Sequence, residues 1–304
     1  MIVVVAPGQG SQTPGFLEPW VADPVHRARL ESLGEAAGLD LVAHGTTSDA
    51  DTIRDTAIAQ PLIVAASLLS AAVLLEGRRD RIGAVAGHSV GEFAAAAIAG
   101  VMTDREALGL VRERGLAMAE AAALVPTGMS AVLGGDADAL AERLVELGLE
   151  PANVNGGGQT VVAGELNNLE ALAADPVRGS RVIPLQVAGA FHTSYMRPAV
   201  DRVRAAAASI EGRAPSIRLY TNHDGTVVTD GARAIELLVG QVASPVRWDL
   251  CMESMAADGV TGIIELLPAG ALAGLAKRGL KGVPTVAVTT PDDLPAAIEM
   301  LETA

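Results

Sequence analysis

Short apolar runs that end in glycine-rich turns and lead into helical segments restrict this chain to an alternating α/β architecture. Residues 2–6 form one such run, which stops at the tight loop Pro7-Gly8-Gln9-Gly10-Ser11-Gln12. Residues 82–86 form a second, followed by Gly87-His88-Ser89-Val90-Gly91 and an alanine-rich helical segment over 90–99. Pro61 suits the first turn of a helix running to 75, because its fixed φ is already helical. Thr103 with Glu106 three residues on resembles a capping box and starts a helix to about 123. Further strands are expected at 217–220, 263–266 and 285–288, and further helices at 200–210, 232–242, 249–257 and 271–280. The whole predicts a mainly parallel sheet.

Residues 127–187 follow another rhythm. Strands are expected at 129–133, 152–155, 160–163 and 181–187, with helices at 138–147 and 166–173. Gly156-Gly157-Gly158 would turn the second strand into the third. The order β-α-β-β-α-β is that of a ferredoxin-like unit, read here as a small subdomain inserted into the larger α/β domain.

Composition narrows the function classes. Half of the 304 residues are hydrophobic, enough for a substantial core, yet only 2 % are aromatic, so small residues fill much of it. The net charge of -14 disfavours a nucleic-acid backbone as partner. Cys251 is the single cysteine, which excludes an internal disulfide and fits a reducing compartment. No basic leader precedes the first apolar run, and the apolar segment 61–75 is short for a membrane span. A cytoplasmic protein without membrane or nucleic-acid partners is expected. One cysteine and scattered histidines offer no metal-ligand spacing.

The sequence G-x-S-x-G at 87–91 lies between an apolar run and a helix, the setting of a nucleophile elbow. There Ser89 would project its hydroxyl beside a helix N-terminus, whose free N–H groups favour developing negative charge. Read blandly, the same residues are a glycine-rich turn with a capping serine. A serine hydroxyl needs a base. His26 and His44 lie in polar segments, His223 in the turn-like Asn222-His223-Asp224-Gly225, and His88 adjoins the serine, where side chains diverge. His192 follows the strand expected at 181–187, where a loop can reach an active site, although a buried or capping histidine is the ordinary reading. Gly8-Gln9-Gly10 lacks the third glycine of a dinucleotide fingerprint, since position 13 is Thr13.

Taken in order, Gly8-Gln9-Gly10-Ser11-Gln12, Gly87-His88-Ser89-Val90-Gly91-Glu92, Arg114-Gly115, Gly189-Ala190-Phe191-His192 and Gln241 with Pro245-Val246-Arg247-Trp248 resemble the malonyl-CoA:acyl-carrier-protein transacylases of fatty-acid and polyketide synthesis. The resemblance runs over nearly the whole chain. It implies an α/β-hydrolase-like large domain over 1–125 and 189–304, with the ferredoxin-like subdomain over 126–188. It implies Ser89 as acylated nucleophile and His192 as base in a dyad. Gln9 and the Val90 N–H match the oxyanion-hole donors, and Gln241 matches the position whose carbonyl orients the histidine. Arg114 matches the partner of the malonyl carboxylate; without the resemblance it reads as an exposed helix arginine paired with Glu113 or Glu120. Phe191 accompanies malonyl preference in related acyltransferases, and Met118, one turn beyond Arg114, is a pocket candidate or plain core. The implied partners are malonyl-CoA and an acyl carrier protein bearing phosphopantetheine, with no permanently bound cofactor, and the protein is expected to be a monomer. Lys277, Arg278 and Lys281 are candidates for carrier contact, or simply charges that complement a helix C-terminus. A hydrolase with a Ser-His-acid triad is the first alternative, with Asp136, Asp138 or Asp175 as the acid. A non-catalytic carrier-docking subunit is the second.

Overall fold

The computed structural model describes residues 1–303. Strands β1 (Ile2–Ala6) and β2 (Ala84–Gly87) come first, followed by β3 (Thr127–Gly134), β4 (Glu150–Gly156), β5 (Gln159–Glu165) and β6 (Ser180–Pro184). The remaining strands are β7 (Arg218–Tyr220), β8 (Val227–Val228), β9 (Val246–Arg247), β10 (Gly262–Glu265) and β11 (Thr285–Ala287). They form two sheets. The larger has the order β11-β10-β1-β2-β7-β8 and is parallel except for the β7–β8 pair. The smaller has the order β6-β3-β5-β4-β9 and is antiparallel except for β4–β9. The fold is therefore mixed α/β, with the strands of residues 126–188 in the expected order.

Strand β1 lies in the middle of the larger sheet, and all five of its residues are buried. Ile2 and Val4 belong to one apolar core, Val3 and Val5 to another on the opposite face. A continuous apolar run is the sequence that such a two-faced strand requires. Helix Gly91–Ile98 follows β2 and is buried along its length, and Thr56–Leu74 packs against it and against Asp104–Ala122. The crossing of the last two is close at Gly115, where a Cβ would lie 2.9 Å from the Thr56 carbonyl oxygen. The Thr103 and Glu106 capping box is present at the start of Asp104–Ala122.

Several expectations need correction. The helix expected from Pro61 begins five residues earlier, at Thr56, with the Asp55 side chain accepting the Ala57 N–H at 2.8 Å. Pro61 lies inside it and has no N–H for the Ala57 carbonyl one turn back. Arg112 supplies the missing donor, Nη1 to the Ala57 oxygen at 2.6 Å. The longer helix has the length and composition to cross a membrane, but most of it is buried within the protein. Strand β6 ends at Pro184 instead of continuing to 187, with one further bond to β3, from the Leu185 N–H to the Met129 carbonyl at 2.9 Å. The smaller sheet is not confined to 126–188, because β9 from the C-terminal part extends it. Helices Pro24–Ala37, Leu41–Thr46, Ala50–Arg54 and Leu294–Thr303 occupy segments in which the sequence suggested no element.

Arg112→Ala leaves the Ala57 carbonyl without its charged donor. We expect a loss of about 1–3 kcal/mol in unfolding free energy by urea titration. An unchanged midpoint would mean that water replaces the guanidinium.

Candidate active site

The carboxyl ends of β1 and β2 open onto one cavity of about 500 Å³ between the two sheets. The turn after β2 is forced to be tight. A Cβ on Gly87 would lie 2.0 Å from the Gly91 carbonyl carbon, and one on Gly91 would lie 2.2 Å from the Ala6 carbonyl oxygen. The glycines at both ends of G-x-S-x-G are thus required by backbone approach. Between them Ser89 has φ 53°, a left-handed conformation that costs a non-glycine residue about 1–3 kcal/mol. Asn222, in the turn after β7, braces it: Oδ1 accepts the Ser89 N–H at 2.8 Å, and Nδ2 donates to the Gly87 carbonyl at 2.7 Å.

His192 also has positive φ, 62°. Its loop is pinned from the smaller sheet, with the Ala190 N–H on Thr127 Oγ1 of β3 at 3.0 Å and the Ser194 N–H on Glu150 of β4 at 3.1 Å. Ser89 Oγ lies 2.6 Å from His192 Nε2. His192 Nδ1 lies 3.0 Å from the Gln241 carbonyl oxygen. A carbonyl only accepts, so the proton belongs on Nδ1 and Nε2 faces the serine as acceptor. Among the described residues no carboxylate completes a triad. Asp136 caps helix Ala137–Leu147 and Asp175 pairs with Arg143.

Arg114 is 1 % exposed and makes no salt bridge among the described residues. Glu113 and Glu120, its expected surface partners, bind Arg202 instead. Its Nη1 donates to Gln60 Oε1 at 2.6 Å, and Nη2 donates to Gln241 Oε1 at 2.7 Å and to Ser89 Oγ at 3.3 Å. Its Nε has no partner among the described residues. Burial pulls the guanidinium down to about 9, opposed by the charge of Glu92, so it stays cationic at neutral pH. Burial first, and Arg114 second, push His192 down to about 3. His192 is therefore neutral in the free protein. An anion placed on Arg114 removes the second of these causes and raises the basicity of His192.

The other candidates divide between the cavity and its rim. Met118 and Phe191 are buried and line the cavity. Gln9 lines it too, but its side chain is turned away, donating to the Arg54 carbonyl at 3.3 Å. Its main-chain N–H makes no backbone bond, and neither does that of Val90 at the N-terminus of Gly91–Ile98. His88 turns from the serine toward Asn155 Oδ1 at 2.8 Å. Lys277, Arg278 and Lys281 are exposed, and Arg278 borders the cavity. Asn222, Gln60 and Asn155 carry no mark in the sequence as site residues.

Asn222→Ala removes two hydrogen bonds from the strained turn. Expected are a loss of about 1–3 kcal/mol in stability and Ser89 labelling by a fluorophosphonate slowed by about tenfold or more. Unchanged labelling would show that the glycines alone hold the turn.

A family described as "Acyl transferase domain" matches residues 3–292. A protein of Mycobacterium tuberculosis (strain ATCC 25618 / H37Rv), described as malonyl CoA-acyl carrier protein transacylase, is 51 % identical over 298 residues, 97 % of this chain and 98 % of its own length. A protein of Escherichia coli (strain K12) with the same description is 34 % identical over 306 residues, 97 % of this chain and 98 % of its own. The crystal structure of MCAT from Mycobacterium tuberculosis superposes with a TM-score of 0.95 at 50 % identity, covering 98 % of this chain and 99 % of that one. A malonyl-transacylase in complex with its type II PKS acyl-carrier protein, PlMCAT:AntF, superposes with a TM-score of 0.92 at 30 % identity, covering 98 % and 99 %. The chain belongs to the acyl transferase domain family.

Proposed function

We propose that the chain is a malonyl-CoA:acyl-carrier-protein S-malonyltransferase, supplying malonyl units for fatty-acid or polyketide chain extension. The observation that carries this reading is Arg114, a buried cation without a salt bridge among the described residues, 3.3 Å from the Ser89 oxygen and lining the cavity. A substrate that brings its own carboxylate fits that cation, and a guanidinium holds a carboxylate more selectively than an ammonium.

The reaction runs in two halves. Ser89 Oγ attacks the malonyl thioester carbonyl while its proton passes to His192 Nε2. The main-chain N–H groups of Gln9 and Val90 receive the oxyanion; loss of one such donor typically slows a reaction about 100- to 1000-fold. The C–S bond breaks, and coenzyme A leaves with the proton from His192. The phosphopantetheine thiol of the carrier then attacks the malonyl ester and gives its proton to His192. The C–O bond breaks, and that proton returns to Ser89. Arg114 holds the malonyl carboxylate in both halves. Gln241 orients His192 through its carbonyl. Coenzyme A enters as part of the substrate, and the chemistry needs no resident cofactor. Phe191 and Met118 crowd the acyl pocket against an α-methyl branch.

Lys277, Arg278 and Lys281 are assigned to carrier contact at the cavity mouth, supported by their exposure and by the position of Arg278. The larger unit, 1–125 and 189–304, is read as α/β-hydrolase-like and 126–188 as ferredoxin-like, supported by the strand orders. The enzyme works as a cytoplasmic monomer. The hydrolase alternative lacks its acid, since His192 Nδ1 meets the Gln241 carbonyl and not Asp136, Asp138 or Asp175.

Mixing the protein with malonyl-CoA alone, then quenching, should leave a malonyl adduct on the Ser89 peptide by mass spectrometry. Holo-carrier protein should discharge it to malonyl-carrier. An adduct discharged only by water would make the protein a thioesterase, and no adduct would refute the malonyl donor. Arg114→Ala should slow adduct formation by about 100-fold or more, from the loss of charge-assisted bonds. Phe191→Ser should raise the methylmalonyl-to-malonyl ratio in competition, and an unchanged ratio would remove Phe191 from selection.

A further inference from the structure

Glu92 is buried in the first turn of helix Gly91–Ile98, directly behind Ser89, and the mechanism above does not use it. Its Oε1 accepts the Asn222 N–H at 2.8 Å, and its Oε2 accepts a short hydrogen bond from Gln241 Nε2. Those two partners hold the reacting groups. Asn222 braces both ends of the Ser89 turn. Gln241 receives His192 on its carbonyl and Arg114 on Oε1, and its Nε2 also donates to the Ser89 carbonyl at 2.9 Å. One carboxyl group therefore sits at the root of the nucleophile, the base and the cation.

The chemistry of the group matters as well as its place. Arg114 only donates, so it must meet the oxygen of the Gln241 amide. The nitrogen of that amide then points at Glu92 and needs an acceptor. A carboxylate accepts on both oxygens and locks the amide one way round. A neutral amide or acid in its place must offer a hydrogen to one of two donors, or let Gln241 flip its nitrogen onto the guanidinium.

We propose that ionised Glu92 is a positioning residue of this site, setting the amide orientation of Gln241 and the alignment of Ser89, His192 and Arg114. The inference concerns the malonyl-transfer reading but is testable apart from it. Burial pushes the Glu92 carboxyl up to about 7, against the hydrogen bonds from Asn222, Gln241 and Thr221 and the charge of Arg114. The other titratable groups around it are Cys251 of helix Trp248–Ala257 and Tyr220 of β7, with His192 beyond Gln241. Burial raises the thiol, and it raises Tyr220 to about 12, so both are neutral near pH 7. His192, at about 3, is neutral there too. Arg114 is then the one charge that Glu92 faces, and Glu92 the one group among these that titrates near neutrality. Ionisation is gained as pH rises through about 7, so the aligned state is lost as pH falls below it.

The test is the rate of Ser89 labelling by an uncharged fluorophosphonate across about pH 5.5–8.5, beside malonyl-adduct formation. In the unaltered protein both rates should fall on the acid side with a midpoint near 7. Glu92→Gln should slow labelling at pH 8 by about 10- to 100-fold and abolish the acid limb, leaving a flat residual rate. Glu92→Asp should keep the limb at reduced rate. A Glu92→Gln protein with unchanged rate and limb would overturn the proposal. So would an unaltered protein whose labelling shows no limb in this range, a result that stands even if the variants do not fold. Labelling that depends on Glu92 without any malonyl adduct would instead sink the transferase reading and leave the positioning role intact.

Discussion

A full positive charge buried beside a serine is the constraint around which this site is arranged. A buried charge is costly unless solvated by fixed dipoles or an opposite charge. Arg114 receives the dipoles from Gln60 and Gln241 and its counter-charge at one remove, from Glu92 through the Gln241 amide. Such indirect pairing leaves the cation stable without occupying the position of an incoming carboxylate. A direct salt bridge in its place would have closed the cavity to an anion. The same cation depresses the basicity of His192, so an anion that docks on it strengthens the base.

Each of the two sheets contributes one half of the Ser89–His192 pair. The larger ends β2 in a turn so close to β1 that glycine is obligatory on both sides of Ser89. The smaller pins the His192 loop through Thr127 and Glu150. The cavity lies between them, and both Ser89 and His192 carry a left-handed backbone that their surroundings must hold. Two strained positions meeting at 2.6 Å show where folding energy has been spent on geometry.

Much of the fold was legible because its signals are local. The apolar runs at 2–6 and 82–86, the capping box at Thr103 and the alternation over 127–187 all report neighbours within a few residues. The helix Thr56–Leu74 runs through Pro61 because the carbonyl left free at Ala57 meets Arg112, 55 positions beyond Ala57 in the chain. Helix Pro24–Ala37 keeps its buried Leu30, Leu33, Gly34 and Ala37 at helical spacing, but two of the four are small residues, so the apolar stripe is a weak signal. Ser89, His192 and Arg114 stand in ordered motifs of the sequence, and the fold brings their side chains together. The carboxylate triad considered for a hydrolase fails on placement, since the Gln241 carbonyl and none of Asp136, Asp138 and Asp175 meets His192 Nδ1.

By itself the amino-acid sequence determined which chain segments could be buried strands, where backbone had to pass close enough to demand glycine, and which residue types were present for acyl chemistry. Those are properties of neighbouring residues and of side-chain chemistry. Only the tertiary structure decided that Asn222 braces the Ser89 turn, that Gln60 and Gln241 solvate Arg114, and that Glu92 stands behind them all. Each of these contacts joins residues 54 to 149 positions apart, and amide and carboxyl groups carry no mark of their partner until burial forces every donor to find an acceptor.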